Sequence, residues 1–360
     1  MDVLKYTCPN CAGVITFSSA AQQMVCEHCD ALFDPEALRM YDEEVQAQTE
    51  DRYDWGAHSG EAWQSGELSG TRAYSCPSCG GEIIGDQNTA ATSCPYCGNV
   101  AIIQEQLSGM LRPDFVIPFK LDKNAAKAAL TKHMKGKPML PKLFKSQSRI
   151  DNITGIYVPF WLFGCDSYAR IRYRATRISR WSDSDYNYIK TDYYLVMREG
   201  DIGFSNVPVD GSQKMDDAYM EAVEPFDYGQ LAPFQSAYLA GYLADKYDVD
   251  AEMSKERANH RIKSSVESVF AGTTVGYATC IPENSNIQLS GGSVHYALLP
   301  VWMLNTRYKD KMYTFAMNGQ TGRLAGELPV SRGKFWAWVA GIGAGLTALL
   351  SPFILWTFPI

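Results

Sequence analysis

Two copies of one cysteine pattern constrain this chain more than anything else in it. Cys8-Pro9-Asn10-Cys11 is followed after fourteen residues by Cys26-Glu27-His28-Cys29, and Cys76-Pro77-Ser78-Cys79 after fourteen by Cys94-Pro95-Tyr96-Cys97. The copies lie 68 residues apart and their flanks match, Cys11-Ala12-Gly13-Val14-Ile15 against Cys79-Gly80-Gly81-Glu82-Ile83, which marks an internal duplication. A Cys-x-x-Cys turn aims two sulfurs at one point, and a small residue behind it lets the backbone turn left-handed. Two such turns at hairpin tips supply four thiolates at about 2.3 Å to a tetrahedral metal. A unit of ~25–30 residues buries too little apolar surface to fold alone, so metal binding supplies its folding free energy.

The expected ligands are therefore Cys8, Cys11, Cys26 and Cys29 for one ion, and Cys76, Cys79, Cys94 and Cys97 for a second. All four positions are taken by protein, which leaves no place for substrate or water and makes these structural Zn²⁺ sites. A rubredoxin-like iron site uses the same donor set, so the spacing leaves zinc against iron open. His28 lies between two ligands and could exchange with one, although four cysteines already complete the set. Cys165 and Cys280 stand apart in apolar or strand-like surroundings and read as small buried hydrophobes.

The other end of the chain is as distinctive. Phe335 to Phe358, FWAWVAGIGAGLTALLSPFILWTF, carries no charge. As a helix it would cover about 36 Å at ~1.5 Å per residue, enough for a hydrocarbon core of ~30 Å. Trp336 and Trp338 stand near one edge and Trp356 near the other, as interfacial aromatics do. Arg332 and Lys334 precede the run and no positive charge follows it, so the positive-inside rule puts residues 1–334 in the cytoplasm. Reduced, metal-bound thiolates suit that compartment, whereas disulfides do not. The opening residues Met1–Lys5 carry no basic segment followed by an apolar run, so no signal peptide is expected. Ending two residues past the span is the layout of a tail-anchored protein or of a chain cut short. Gly341 and Gly345 form a small-xxx-small pair that could seat a second copy, and Pro352 could kink the helix.

Composition removes further options. With 46% hydrophobic and 20% charged residues, 360 residues cannot be wholly disordered and should form two or three units. The net charge is −7, and two Zn²⁺ on eight thiolates would move it to about −11, which disfavours bulk attraction to nucleic acid. The charge is uneven: residues 1–70 hold 3 Lys/Arg against 13 Asp/Glu, whereas residues 112–190 hold 16 against 6. Residues 35–72 read as a short helix followed by a solvated acidic linker.

Between ribbons and span, residues 112–330 read as an α+β domain of antiparallel sheet and helices. Tyr157-Val158-Pro159-Phe160-Trp161-Leu162-Phe163 is echoed by Ala297-Leu298-Leu299-Pro300-Val301-Trp302-Met303-Leu304, which suggests a second duplication. Helices are expected from Asp122 to about Lys135, stopped by Gly136, and from Ala251 to Phe270, capped by Asp250 and ended by Gly272. Strands are expected at Tyr168–Ile178, Tyr186–Met197, Thr273–Cys280 and Lys311–Met317, with Asn318-Gly319 and Thr321-Gly322 as turn chemistry. The alternation of Arg170, Arg172 and Arg174 places three guanidiniums on one strand face. They could grip phosphates of nucleic acid or lipid, but a solvated face paired with acids such as Asp192 or those of residues 199–227 is the plainer reading.

Enzyme signatures are missing. There is no G-x-x-x-x-G-K-[ST], H-E-x-x-H or G-x-S-x-G, and five histidines are scattered. No catalytic residue and no cofactor other than the two metal ions is expected.

The paired CPxC…CxxC ribbons, YVPFW, LLPVWML, the YTFAMNGQTG stretch (residues 313–322) and the terminal span resemble the bacterial TFIIB-type zinc-ribbon membrane proteins of Gram-positive type. The resemblance covers nearly the whole chain, and YTFAMNGQTG is its more distinctive part. Relatives have been likened to primosomal helicases through their ribbons, but the ATPase motif is absent here. The resemblance implies partners among membrane-associated proteins, since some relatives are encoded beside phage-shock-type and SPFH-type proteins. It carries over only the eight cysteines. The expected architecture is α+β: zinc ribbons at 1–34 and 73–108, a linker at 35–72, a duplicated domain at 112–330 and a transmembrane helix at 335–358. The function expected first is a non-enzymatic adaptor facing the cytoplasm and binding proteins. A membrane-tethered nucleic-acid binder is the alternative.

Overall fold

The computed structural model describes residues 6–46, 50–56, 62–63, 71–86, 94–99, 103–105, 111–146, 150–309 and 311–357. Parts of the expected linker, ribbons and span fall outside these residues. The chain divides into two compact units, each assembled from separated stretches of sequence. The first comprises Met1–Trp55, Cys165–Phe204 and His260–Gly292, and the second Gly56–Gly164, Ser205–Asn259 and Ser293–Ile360.

In the first unit the opening cysteine pattern folds as an antiparallel sheet of β1 (Ile15–Ser18), β2 (Gln23–Cys26) and β3 (Leu32–Phe33). Helix α1 (Pro35–Gln46) follows. It starts where it does because Asp34 Oδ1 accepts the N–H groups of Glu36 and Ala37, at 2.9 and 3.1 Å, and Pro35 is preset for the first turn. Leu38 from α1 closes a small core with Cys8, Ile15 and Cys26. Residues 50–55, expected as solvated linker, instead run beside a strand of this unit. Arg52 donates its N–H to Ile287 O at 3.0 Å and receives that of Leu289 at 2.8 Å. Asp51 accepts from Ile287 N–H at 2.9 Å and pairs with Lys263 at 2.6 Å. A Cβ on Gly292 would lie 2.5 Å from Asp54 O, so only glycine admits this approach. The polar side chains that read as solvated are spent on a strand edge.

Ten further strands lead up to the last one. They are β4 (Thr71–Ser75), β5 (Glu82–Asp86), β6 (Ile103–Glu105), β7 (Phe115–Val116), β8 (Thr154–Ser182), β9 (Asn187–Asp210), β10 (Ala232–Pro233), β11 (Leu243–Asp245), β12 (Thr279–Tyr308) and β13 (Lys311–Asn318). They are followed by β14 (Leu324–Gly326), and the intervening helices are α2 (Lys123–Met134), α3 (Asp217–Val223) and α4 (Ala251–Gly272). The fold is α+β, as expected.

The second unit is built on the inner lengths of β8 and β12, which are sheet neighbours. Tyr157–Phe163 and Ala297–Leu304 lie on these strands and are buried throughout. Continuous apolar runs, each with one proline inside it, thus become central strands covered on both faces. The helices that precede the two strands differ, α2 with 12 residues and α4 with 22. Asp122 caps α2 through Ala125 N–H at 2.7 Å, and Gly136 past its end has φ +75°. Asp250 caps α4 through Met253 N–H at 2.8 Å. The YTFAMNGQTG stretch forms β13 and its turn, where Asn318 Oδ1 accepts the N–H groups of Gln320 and Thr321, both at 2.9 Å.

Three strands outrun expectation: β8 has 29 residues, β9 24 and β12 30. Thr273–Cys280 is a correction, since β12 begins only at Thr279. Gly276, at φ +86°, breaks the extended path, and Thr273 Oγ1 turns back to donate to Phe270 O at 2.6 Å. The last described element is α5 (Arg332–Thr357), a 26-residue helix about 39 Å long at ~1.5 Å per residue. Its start is tied to the second unit by Lys334 Nζ, which donates to Leu140 O at 2.7 Å.

Candidate metal centres

Each Cys-x-x-Cys turn adopts one repeated backbone form. The first cysteine donates its N–H to the carbonyl five residues on: Cys8 to Gly13, Cys26 to Ala31, Cys76 to Gly81 and Cys94 to Asn99, at 2.8–3.0 Å. The residue four on donates back to the same cysteine and takes positive φ: Ala12 at 59°, Asp30 at 55°, Gly80 at 69° and Gly98 at 73°. This is the left-handed turn that the small residues Ala12, Gly80 and Gly98 imply, and Asp30 adopts it behind Cys29 without being small.

The turns bring the eight cysteines into two groups, Cys8, Cys11, Cys26 and Cys29, and Cys76, Cys79, Cys94 and Cys97. Within each, all sulfurs lie within 4.8 Å of one another. The Sγ–Sγ separations are 3.7 Å for Cys8–Cys29, 3.4 Å for Cys11–Cys26, and 3.6 Å for both Cys76–Cys97 and Cys79–Cys94. A disulfide needs about 2.05 Å, whereas a tetrahedron with arms of ~2.3 Å has edges near 3.8 Å. The donor sets therefore fit a tetrahedral ion, consistent with two zinc sites. Backbone N–H groups favour the thiolate at Cys26 and Cys76, whereas Cys11, Cys29, Cys79 and Cys94 are pushed upward beside their neighbouring sulfurs. Burial pushes the Cys26 thiol up, but N–H groups of His28 and Cys29 and the neighbouring sulfurs bring it down to about 6. Cys76 is held at about 7 by the same contest, with Cys79 and Ser78 supplying the amides. Among the described residues these are the two groups in which three or more metal-ligating side chains converge.

No protein-family model and no solved structure matches the sequence. Among curated proteins, an uncharacterised Bacillus subtilis protein, YdjG, is 36% identical over 343 residues, covering 95% of each chain. The chain belongs to the YdjG family.

The two centres of this YdjG-family chain sit in different settings, although their cysteine spacing is the same. Cys11 and Cys29 of the first are exposed, and its apolar neighbours form only the small core under α1. The second is built into the main sheet: β5 pairs with β11 (Ile84↔Ala244), and β11 runs parallel to β8 (Ala244↔Tyr157). Cys76, Cys94 and Tyr96 lie in the same large core as Val158, Leu162 and Val301. The Asn305 side chain, from β12, donates to Pro95 O and Tyr96 O, so it holds the second Cys-x-x-Cys turn.

Other expected features are placed as follows. Arg170 pairs with Glu199 at 3.7 Å, and Arg172 and Arg174 pair with Glu283 at 3.7 and 3.4 Å. Arg172 is 7% exposed and also lies over the Tyr41 ring, 5.6 Å from its centroid. Glu199 falls within the expected acidic region, Glu283 does not, and Asp192 pairs with Lys190 instead. Cys165 is buried, and its thiol is pushed up to about 11 by that burial, while Cys280 is half-buried. Helix α5 is long and apolar enough to cross a membrane, and residues 332–350 bury none of their length against the protein. A Cβ on Gly341 or Gly345 would meet nothing within 4 Å, so that helix face is open.

Proposed function

We propose that this chain is a non-enzymatic adaptor of the cytoplasmic membrane face, anchored by α5 and using its first zinc ribbon to bind membrane-associated proteins. The observation that carries the reading is the surface of that ribbon. Val14, Phe17 and Leu32 are exposed there, at 67%, 55% and 55%, although the ribbon has little apolar surface to spare. Beside it lies a recess of about 200 Å³ lined by Pro9, Leu32, Phe33, Tyr41, Tyr193 and Arg174. Exposed apolar residues next to a recess suit a protein partner. Four sulfurs and no open position suit a structural role for both ions, which this reading takes to be zinc. Arg332 and Lys334 at the near end of α5 orient residues 1–334 to the cytoplasm.

The alternative, nucleic-acid binding by the basic block, is weakened by the pairing of Arg170, Arg172 and Arg174 with carboxylates. The test is in-cell photocrosslinking from position 17 of the full chain, with identification of the crosslinked proteins. A defined membrane-associated protein that is lost on Val14→Ser/Leu32→Ser supports the reading. Failure to crosslink, together with salt-sensitive micromolar binding to DNA or RNA by the zinc-loaded chain, overturns it.

A further inference from the structure

The outer ends of β8 and β9 leave the core of the first unit and close in a turn at residues 183–186, where Asp183 N–H donates to Tyr186 O at 3.0 Å. The side chains there are the wrong kind for open water. Ile178, Trp181, Tyr186 and Ile189 are 43%, 53%, 68% and 67% exposed. Their exposure is not fraying, because the turn is held from within. Asp183 accepts from the N–H groups of Asp185 and Tyr186, at 2.9 and 2.7 Å, and from Tyr188 Oη at 2.8 Å. Trp181 stacks on Tyr188 with ring centroids 5.4 Å apart and planes 10° from parallel. At the base, Arg177 is wedged between the Tyr194 and Tyr277 rings, 5.2 and 5.1 Å from their centroids.

Charge helps to choose the occupant. Residues 177–192 carry Arg177, Arg180 and Lys190 against Asp183, Asp185 and Asp192, so the hairpin is neutral. A nucleic-acid finger with stacking rings would be expected to carry net positive charge. A rigid, neutral tip bearing tryptophan, tyrosine and isoleucine has the chemistry of the bilayer interface, where ring bodies sit among acyl chains and their polar atoms face the headgroups. An anchored chain also keeps lipid at high effective concentration around all its parts.

We propose that the β8–β9 tip is a second membrane contact, inserting Trp181, Tyr186 and Ile189 into the headgroup region of a phospholipid bilayer. The inference rests on reading α5 as a membrane span. Attachment at the tip comes from aromatic and aliphatic burial, so zwitterionic lipid suffices and salt leaves it unchanged.

The test uses the zinc-loaded full chain, labelled with 5-fluorotryptophan, in phosphatidylcholine bicelles. The ¹⁹F resonances of Trp181, Trp336 and Trp338 are assigned by replacing each in turn with Phe. Lipid bearing a headgroup nitroxide is then added. The expected result is that the Trp181 line broadens as the Trp336 and Trp338 lines do, at low and high salt alike. If Trp336 and Trp338 broaden while Trp181 stays sharp and answers to a water-soluble relaxation agent, the tip contact is overturned and the span stands. If Trp181 is shielded from both agents, protein covers it and the proposal is equally overturned. If none of the three broadens, the span reading fails and this inference falls with it.

Discussion

The side-chain amide of Asn305 donates to the backbone carbonyl of Tyr96 at 2.7 Å, joining residues 209 positions apart. One side chain from a core strand thus fixes the turn that presents Cys94 and Cys97. Asn305→Ala leaves the carbonyls of Pro95 and Tyr96 without their donor, which costs about 1–3 kcal/mol where such groups are buried. The expected outcome is faster metal loss from the second ribbon with the first unchanged, followed by chelator kinetics. Equal acceleration at both sites would show that the contact does not act locally.

Metal removal should be biphasic. The first centre has two exposed cysteines, whereas the second lies within the large core. A chelator should take one equivalent quickly and the second only as the second unit opens, since opening of core elements approaches the global unfolding free energy. Metal release monitored beside near-ultraviolet circular dichroism checks this: the slow phase, not the fast one, should coincide with loss of the aromatic signal.

The left-handed turn residues give a prediction of opposite signs. Ala12 holds φ 59° in the first ribbon, and Gly80 holds φ 69° at the matching place in the second. An L-residue with a Cβ is disfavoured there by roughly 1–2 kcal/mol. Ala12→Gly should therefore tighten the first site, whereas Gly80→Ala should weaken the second, both read as shifts in the midpoint of zinc-competition titrations. Shifts of the same sign would contradict the backbone argument.

Asp245 makes stability depend on pH. Burial pushes its carboxyl up to about 7, only partly offset by Ser212, whose hydroxyl donates to Oδ2 at 2.5 Å. Between about pH 4 and 7 the native carboxyl keeps its proton while that of the unfolded chain has lost it. The unfolded state then binds fewer protons, so stability falls as pH rises through this window and levels off above 7. Asp245→Asn should remove that fall. The gain in melting temperature of the variant should grow from pH 5 to pH 7 and then stay constant, and parallel curves would refute the assignment.

What the sequence makes legible here is what short stretches of chain decide. The Cys-x-x-Cys turns, the Asp122 and Asp250 caps and the Asn318 turn all depend on neighbours a few residues away, and each cysteine group closes within 21 residues. The different fates of the two ribbons do not. Ile84 finds Ala244, and Asn305 finds Tyr96, across most of the domain, and nothing near either cysteine motif distinguishes a ribbon set in a sheet from one with its own small core. The long strands were hidden for a related reason. β8 passes from buried on both faces to exposed, so no single periodicity describes it. Glu283 was missed as the partner of Arg172 and Arg174 because it lies over 100 residues away, outside any acidic run.

The first unit is stitched from three stretches ending at Trp55, Phe204 and Gly292. At ~5–20 residues per second, a ribosome needs roughly ten to fifty seconds to pass from the first of these ends to the last. For most of that interval the first ribbon lies outside the ribosome and can take up metal, while the strands that complete its unit are still being made. Metal uptake by the first ribbon is thus open to the nascent chain well before α5 is made. Cutting anywhere between Trp55 and Gly292 would leave the ribbon without at least part of its unit.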